Sequence, residues 1–169
     1  MNPYLRILAF SILILFSSCE RKSFEQKSEE RRQENKNIVG HIYKMFETGD
    51  LAGLENYVHQ ELIEHTPDPL IVPTGIEGVK ELIQINRTAF PDLRMKVYNI
   101  SAEGDMVYSH FNFKGTNTGM IRESHPTMKQ IDIDGVDVMR IKDGKISEHC
   151  GYWDTMKFLN QLGKDGVSD

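Results

Sequence analysis

A chain of 169 residues with 39% hydrophobic and 27% charged side chains has an ordinary globular composition, which excludes wholesale disorder and a polytopic membrane protein. The formal net charge of −5 becomes −6 once Arg6 leaves with the N-terminal segment, and no long basic run remains to follow a phosphate backbone. Nucleic acid is therefore not an expected partner.

Residues 1–18 combine a short basic start at Arg6, an apolar run over 7–16 and the small pair Ser17-Ser18 before Cys19. That is the layout of a signal peptide, too short to span a bilayer comfortably. Small-small-Cys resembles the lipobox of bacterial lipoproteins, although Phe16 stands where an aliphatic residue is usual. The resemblance implies acylation of Cys19, membrane anchoring through it and a place in the bacterial cell envelope; ordinary secretion is the alternative. Lipidation would use Cys19 and leave Cys150 without an intrachain partner, so Cys150 is expected to be buried and inert. Residues 19–34 are polar apart from Phe24 and read as a tether. The domain proper occupies 35–163, on the order of 130 residues and one core, followed by a short tail at 164–169.

Within the domain, Ile38, Ile42 and Met45, widened by Val39, Tyr43 and Phe46, make an amphipathic helix that ends at Gly49-Asp50. Asp50 can cap a second short helix carrying Leu51, Leu54 and Val58, and a brief strand follows at 62–65. A loop from Pro67-Asp68-Pro69 to Pro73-Thr74-Gly75 leads into a helix that starts near Glu77 and stops by Phe90-Pro91. From Leu93 the period changes to two, giving strands over 93–101, 106–114, 129–141 and 145–153, with Asp143-Gly144 as the stronger of two hairpin turns. A short amphipathic helix over 155–163 closes the domain. Helices followed by an antiparallel meander define the α+β class, with N-terminal helices packed on one face of a curved antiparallel sheet. Such a cone leaves an apolar cavity, for which a small-molecule ligand is the natural occupant.

In the strand Ile131-Asp132-Ile133-Asp134-Gly135-Val136-Asp137-Val138-Met139-Arg140-Ile141, Asp137 shares its face with isoleucines, Gly135 and Met139. A carboxylate on a core-facing row is costly unless paired or used, so Asp137 is either a functional acid or a structurally bonded one. Gly135 would leave room for a ligand. In the partner strand of the hairpin, His149, Gly151 and Trp153 share one side; His149 could form an acid/base pair with Asp137, or be a satisfied core histidine, and Trp153 could line the cavity. His65 and His110 are candidates to polarise a carbonyl, while His41, His59 and His125 look peripheral. The histidines and acids have no metal-ligand spacing, and no metal is expected.

The series Phe90-Pro91-Asp92-Leu93, Gly115-Thr116-Asn117-Thr118-Gly119, Pro126-Thr127, Val138-Met139-Arg140-Ile141, Asp143-Gly144-Lys145-Ile146, Glu148-His149 and Asp154 through Gln161-Leu162-Gly163 resembles the SnoaL-like polyketide or ester cyclases over about 35–163. The resemblance implies a cystatin-like, or nuclear-transport-factor-2-like, cone that dimerises through its exposed sheet face. It also implies cofactor-free chemistry on a ligand with an apolar body and a carbonyl: an aspartate takes the proton α to the carbonyl, and the enolate closes a ring. Gly151 stands where the resemblance places that aspartate, and Asp137 where it places a histidine. Asp137 is accordingly expected to be a relocated base; a non-catalytic small-molecule-binding envelope lipoprotein is the alternative.

Overall fold

The computed structural model describes residues 3–67 and 73–164, with side chains from residue 23 onward. The readings of Phe16 and Cys19, the middle of the loop between Pro67 and Pro73, and the tail beyond Lys164 lie outside those limits. The described elements are α1 (Pro3–Thr48), β1 (Val58–Glu64), α2 (Gly75–Ala89), β2 (Arg94–Glu103), β3 (Met106–Thr116), β4 (Gln130–Lys142), β5 (Lys145–Trp153) and α3 (Thr155–Leu162).

The domain part of α1 forms for the reason its sequence suggests. Asn35, Val39, Ile42, Tyr43 and Met45 recur at helical spacing and are all buried against the sheet and α2. The polar stretch before it differs from a loose tether. It is helical, and its side chains remain mostly exposed. Helix-forming Glu, Gln, Lys and Arg residues, with pairs such as Gln26–Glu30 and Arg32–Glu29 one turn apart, provide local support without any core. The expected second helix shrinks to a 3-10 turn at Leu54–Asn56, because Val58 is drawn into β1 and buried there.

The five strands form one sheet in the order β1-β5-β4-β3-β2. The four-strand meander is antiparallel, as its alternation and turns require, and Asp143 and Gly144 both take positive φ in the β4–β5 turn. The sheet as a whole is mixed, however. β1 adds to the edge parallel to β5, pairing Glu64 with His149, and no local pattern announces that pairing.

Helices α1 and α2 cover the concave face. Two apolar clusters lie beneath the helices: one under α1 and α2, built on Val39, Ile42, Leu54, Ile83, Val107 and Met139, the other under α3, built on Phe90, Leu93, Phe113, Ile131, Ile133 and Leu162. The opposite face leaves Tyr98, Tyr108 and Val136 exposed.

Candidate active site

Strand alternation aims Asp137 inward from the middle of β4 and His149 inward from β5, and the hairpin register sets Asp137 directly across from Gly151. The Asp137 side chain is only 9% exposed. Its Oδ1 lies 3.2 Å from His149 Nε2, and its Oδ2 accepts a 2.6 Å hydrogen bond from the Tyr43 hydroxyl of α1. Ser109 Oγ sits 2.5 Å from the Tyr43 oxygen; with the phenolic hydrogen committed to Asp137, Ser109 is the donor of that bond. On the other side of the imidazole, His149 Nδ1 is 2.5 Å from Glu64 Oε2 at the end of β1. Glu64 Oε1 accepts from both the amide and the hydroxyl of Thr66, and Thr66 Oγ1 accepts from the Gly151 amide at 2.8 Å.

This arrangement decides the charge states. Burial alone would discharge His149, but its bonds to the Asp137 and Glu64 carboxylates outweigh burial and push its pKa up to about 10. At neutral pH it is an imidazolium donating both N–H groups. Burial also raises Glu64, and there the bonds from His149 and Thr66 prevail, holding it below the usual carboxylate value. Tyr43 is raised by burial first and by the facing Asp137 charge second, so it stays a neutral donor.

The cluster forms part of the wall of a cavity of about 530 Å³, within the range typical of small-molecule sites. Phe46, Leu62, Val79, Met95, Phe111 and Phe113 are among its apolar lining residues, and Tyr152 and Trp153 stand at the wall near the end of β5. Trp153 packs on Phe158 of α3 with ring centroids 4.9 Å apart, and is 49% exposed. Neither lysine nor arginine is among the lining residues.

Of the residues singled out from sequence, Asp137, His149, Gly151 and Trp153 meet at this cavity. Three others do not belong to it. His65 alternates to the outer side of β1, where it bonds Glu148 at 2.9 Å in a surface network with Arg140 and Asp105. His110 lies on the outer face of β3 against Tyr98. Gly135 faces inward, but a Cβ there would be 2.5 Å from Phe111 Cζ: the space it leaves is filled by that ring and not by a ligand. Cys150 is free and half-buried on the outer side of β5, 3.3 Å from the Tyr152 hydroxyl, which replaces the expectation of a buried thiol.

Tyr43, Glu64, Thr66 and Ser109 were not anticipated. Period-two reading could have found Glu64, since it shares the inward face of β1 with buried Leu62 while His65 follows exposed Ile63 outward. Tyr43 reads only as one more apolar member of its helix stripe, and nothing local marks its hydroxyl.

Helices laid on a mixed sheet around an apolar cavity, with titratable groups gathered on one wall, make the nuclear-transport-factor-2-like α+β cone. Within that class the chain belongs to the SnoaL-like polyketide cyclase family, whose sequence profile matches residues 36–162. It is 27% identical over 125 residues to nogalonic acid methyl ester cyclase of Streptomyces nogalater, covering 73% of this chain and 93% of that relative. Among solved structures it is similar to IdmH of Streptomyces antibioticus, with 26% identity, a TM-score of 0.65, and coverage of 76% of this chain and 98% of the other. TsrD of Streptomyces laurentii superposes with a TM-score of 0.71 at 24% identity, over 79% of this chain and 97% of TsrD, and bears on the fold alone.

Proposed function

We propose that this protein is a cofactor-free acid/base enzyme acting on a neutral carbonyl compound with an apolar body. Asp137 is the base, and His149 is its charged partner. The observation that carries the reading is the 3.2 Å contact between His149 Nε2 and Asp137 Oδ1 in the wall of an open apolar cavity. A substrate whose α-carbon approaches Asp137 would lose a proton to the carboxylate while the electron pair moves to the carbonyl oxygen. The enolate could then add to a second carbonyl of the same molecule and close a ring. A lining without lysine or arginine favours a neutral ketone or ester over a carboxylate. An Asp137 oxygen lies 3.1 Å from where a side chain at residue 151 would begin, so a carboxylate moved across the strand pair reaches the same part of the cavity.

The test is deuterium exchange at the α-carbon of an apolar aryl ketone such as 2-tetralone, followed by NMR in D₂O. It reads proton abstraction whether or not a ring closes. Catalysed exchange that falls by roughly 10²–10⁴ in Asp137→Asn supports the reading. Saturable binding of such ketones without catalysed exchange would replace it with the non-catalytic binder, the reading favoured by the hydrogen side chain at Gly151.

We also propose that the protein is a lipoprotein of the cell envelope, held to the membrane through acylated Cys19; mass spectrometry of the mature N-terminus, compared with Cys19→Ser, tests this. In support, α1 meets the domain at the β2–β3 turn, where Asn35 Nδ2 donates to Gly104 O. The cavity instead involves Met95, Phe113 and Trp153, toward the other ends of their strands, so an anchor at Cys19, on the N-terminal side of Asn35, would leave it facing away from the bilayer. A homodimer through the exposed face bearing Tyr98, Tyr108 and Val136 is a further proposal, tested by light scattering on the Val136→Glu variant.

A further inference from the structure

The cluster contains one imidazole between two carboxylates, and the acid/base reading assigns work to only one of them. We propose that Glu64 is a positioning residue: it fixes the His149 ring as a doubly donating imidazolium, so that Asp137 alone exchanges protons with the substrate and His149 acts by its charge. This inference rests on the acid/base reading and deepens it.

The geometry carries it. Glu64 Oε1 is pinned by two 3.0 Å bonds from Thr66, and Thr66 is pinned by the Gly151 amide of the adjacent strand. With that oxygen anchored, Oε2 is fixed where His149 Nδ1 meets it. Once Nδ1–H is committed, the ring has one remaining hydrogen, on Nε2, and it points at Asp137 Oδ1. Gly151 makes the arrangement possible. A Cβ at that position would stand 3.0 Å from His149 Cε1 and 3.1 Å from Asp137 Oδ1, so a side chain there would require the ring or the carboxylate to give by a few tenths of an ångström.

The two carboxylates are not equivalent. Glu64 accepts three hydrogen bonds, two of them from Thr66, and Asp137 accepts two; the bonds from His149 and Thr66 hold Glu64 below the usual carboxylate value. In the proton-transfer step the substrate C–H bond breaks, its proton passes to Asp137, and the electron pair is taken by the carbonyl oxygen. His149 keeps both protons, and its positive charge stabilises the enolate formed beside it. Among the described residues, the ionisable groups facing the imidazole are Glu64 from β1 and Asp137 from β4, with Tyr43 of α1 acting through Asp137. On β5 itself, Glu148 points to the outer surface and is occupied by His65 and Arg140.

The experiment is an NMR titration of the His149 imidazole in the full domain, wild type against Glu64→Gln, alongside the α-proton exchange assay. Glu64→Gln retains an oxygen that can accept from Nδ1–H but removes the charge. The expected result is a fall in the His149 midpoint by about one to two pH units, with the alkaline limb of exchange moving by the same amount. Glu64→Asp should restore part of the shift, and Thr66→Val, which frees the carboxylate without removing it, should slow exchange while moving the midpoint less. An unchanged His149 midpoint in Glu64→Gln overturns the proposal, because a merely structural glutamate would alter melting and leave the titration in place. If the midpoint falls but even the wild type exchanges no α-proton, the positioning role stands and the enzyme reading alone fails.

Discussion

The two apolar clusters beneath the helices are built differently. Under α3 the core is closed: Phe90 meets Phe113 edge-on at 5.7 Å, and Leu93, Ile131, Ile133 and Leu162 fill the space around them. Four of the motifs that resemble the cyclase family, at 90–93, 115–119, 126–127 and 154–163, lie here and act as staples. Asp92 binds the amide and hydroxyl of Thr116 at 2.7 Å each, the Asn117 carboxamide ties Ala89, Gly119 and Thr127 together, and Gln161 clamps both backbone groups of Asp132. Under α1 and α2 the core is packed around Val39, Leu54, Ile83 and Val107 but also borders the cavity, which Phe113 shares with the cluster under α3, and polar groups satisfy one another in its wall. Asp137 and Gly151, where the sequence differs from what the cyclase resemblance implies, lie in the wall of this cavity. The residues that staple the fold and the residues of the candidate site are therefore largely distinct.

The largest test of that contrast is Phe90→Ala. Deleting a ring this buried should cost about 3–5 kcal/mol in urea unfolding, with the exchange activity of the protein that stays folded nearly intact. Asp137→Asn should do the reverse: a roughly 10²–10⁴-fold loss of exchange with a change in stability below about 2 kcal/mol, since Glu64 still neutralises His149. Comparable stability losses in the two variants would break the division.

The cavity wall should also dominate the pH dependence of stability. His149 is raised from 6.5 to about 10 on folding, so its contribution is fully present below about pH 6.5 and is lost as pH rises through 10. Glu64 is lowered, so its contribution is present above pH 4.5 and fades as pH falls through its folded value. Melting temperature should therefore decline between pH 7 and 10, by an amount equivalent to a few kcal/mol, and His149→Gln should abolish most of that slope. A slope unchanged in His149→Gln would place its origin elsewhere.

Gly135→Ala sharpens the comparison on a smaller scale. The new methyl must push the Phe111 ring toward the cavity, so a loss of about 1–3 kcal/mol should come with weaker binding of apolar ketones by fluorescence titration. Smallest of all is His110→Ala: on the outer face, it should change stability by less than about 0.5 kcal/mol and leave exchange untouched.

What could be read from the chain without its structure was local. Alternation in β2 to β5, the Asp143-Gly144 turn and the stops at Gly49 and Phe90-Pro91 all act over a few residues. A hairpin transmits that order across its two strands, which is why Asp137, His149, Gly151 and Trp153 could be set on one face in advance. Tertiary structure decided the rest. Tyr43, Glu64 and Ser109 reach the site through contacts spanning 94, 85 and 66 residues respectively, and β1 docks parallel to β5 after a register shift between Val58 and Ile63. The face of a strand within a hairpin follows from its own period, whereas which distant strand or helix lies against it depends on how the whole core closes.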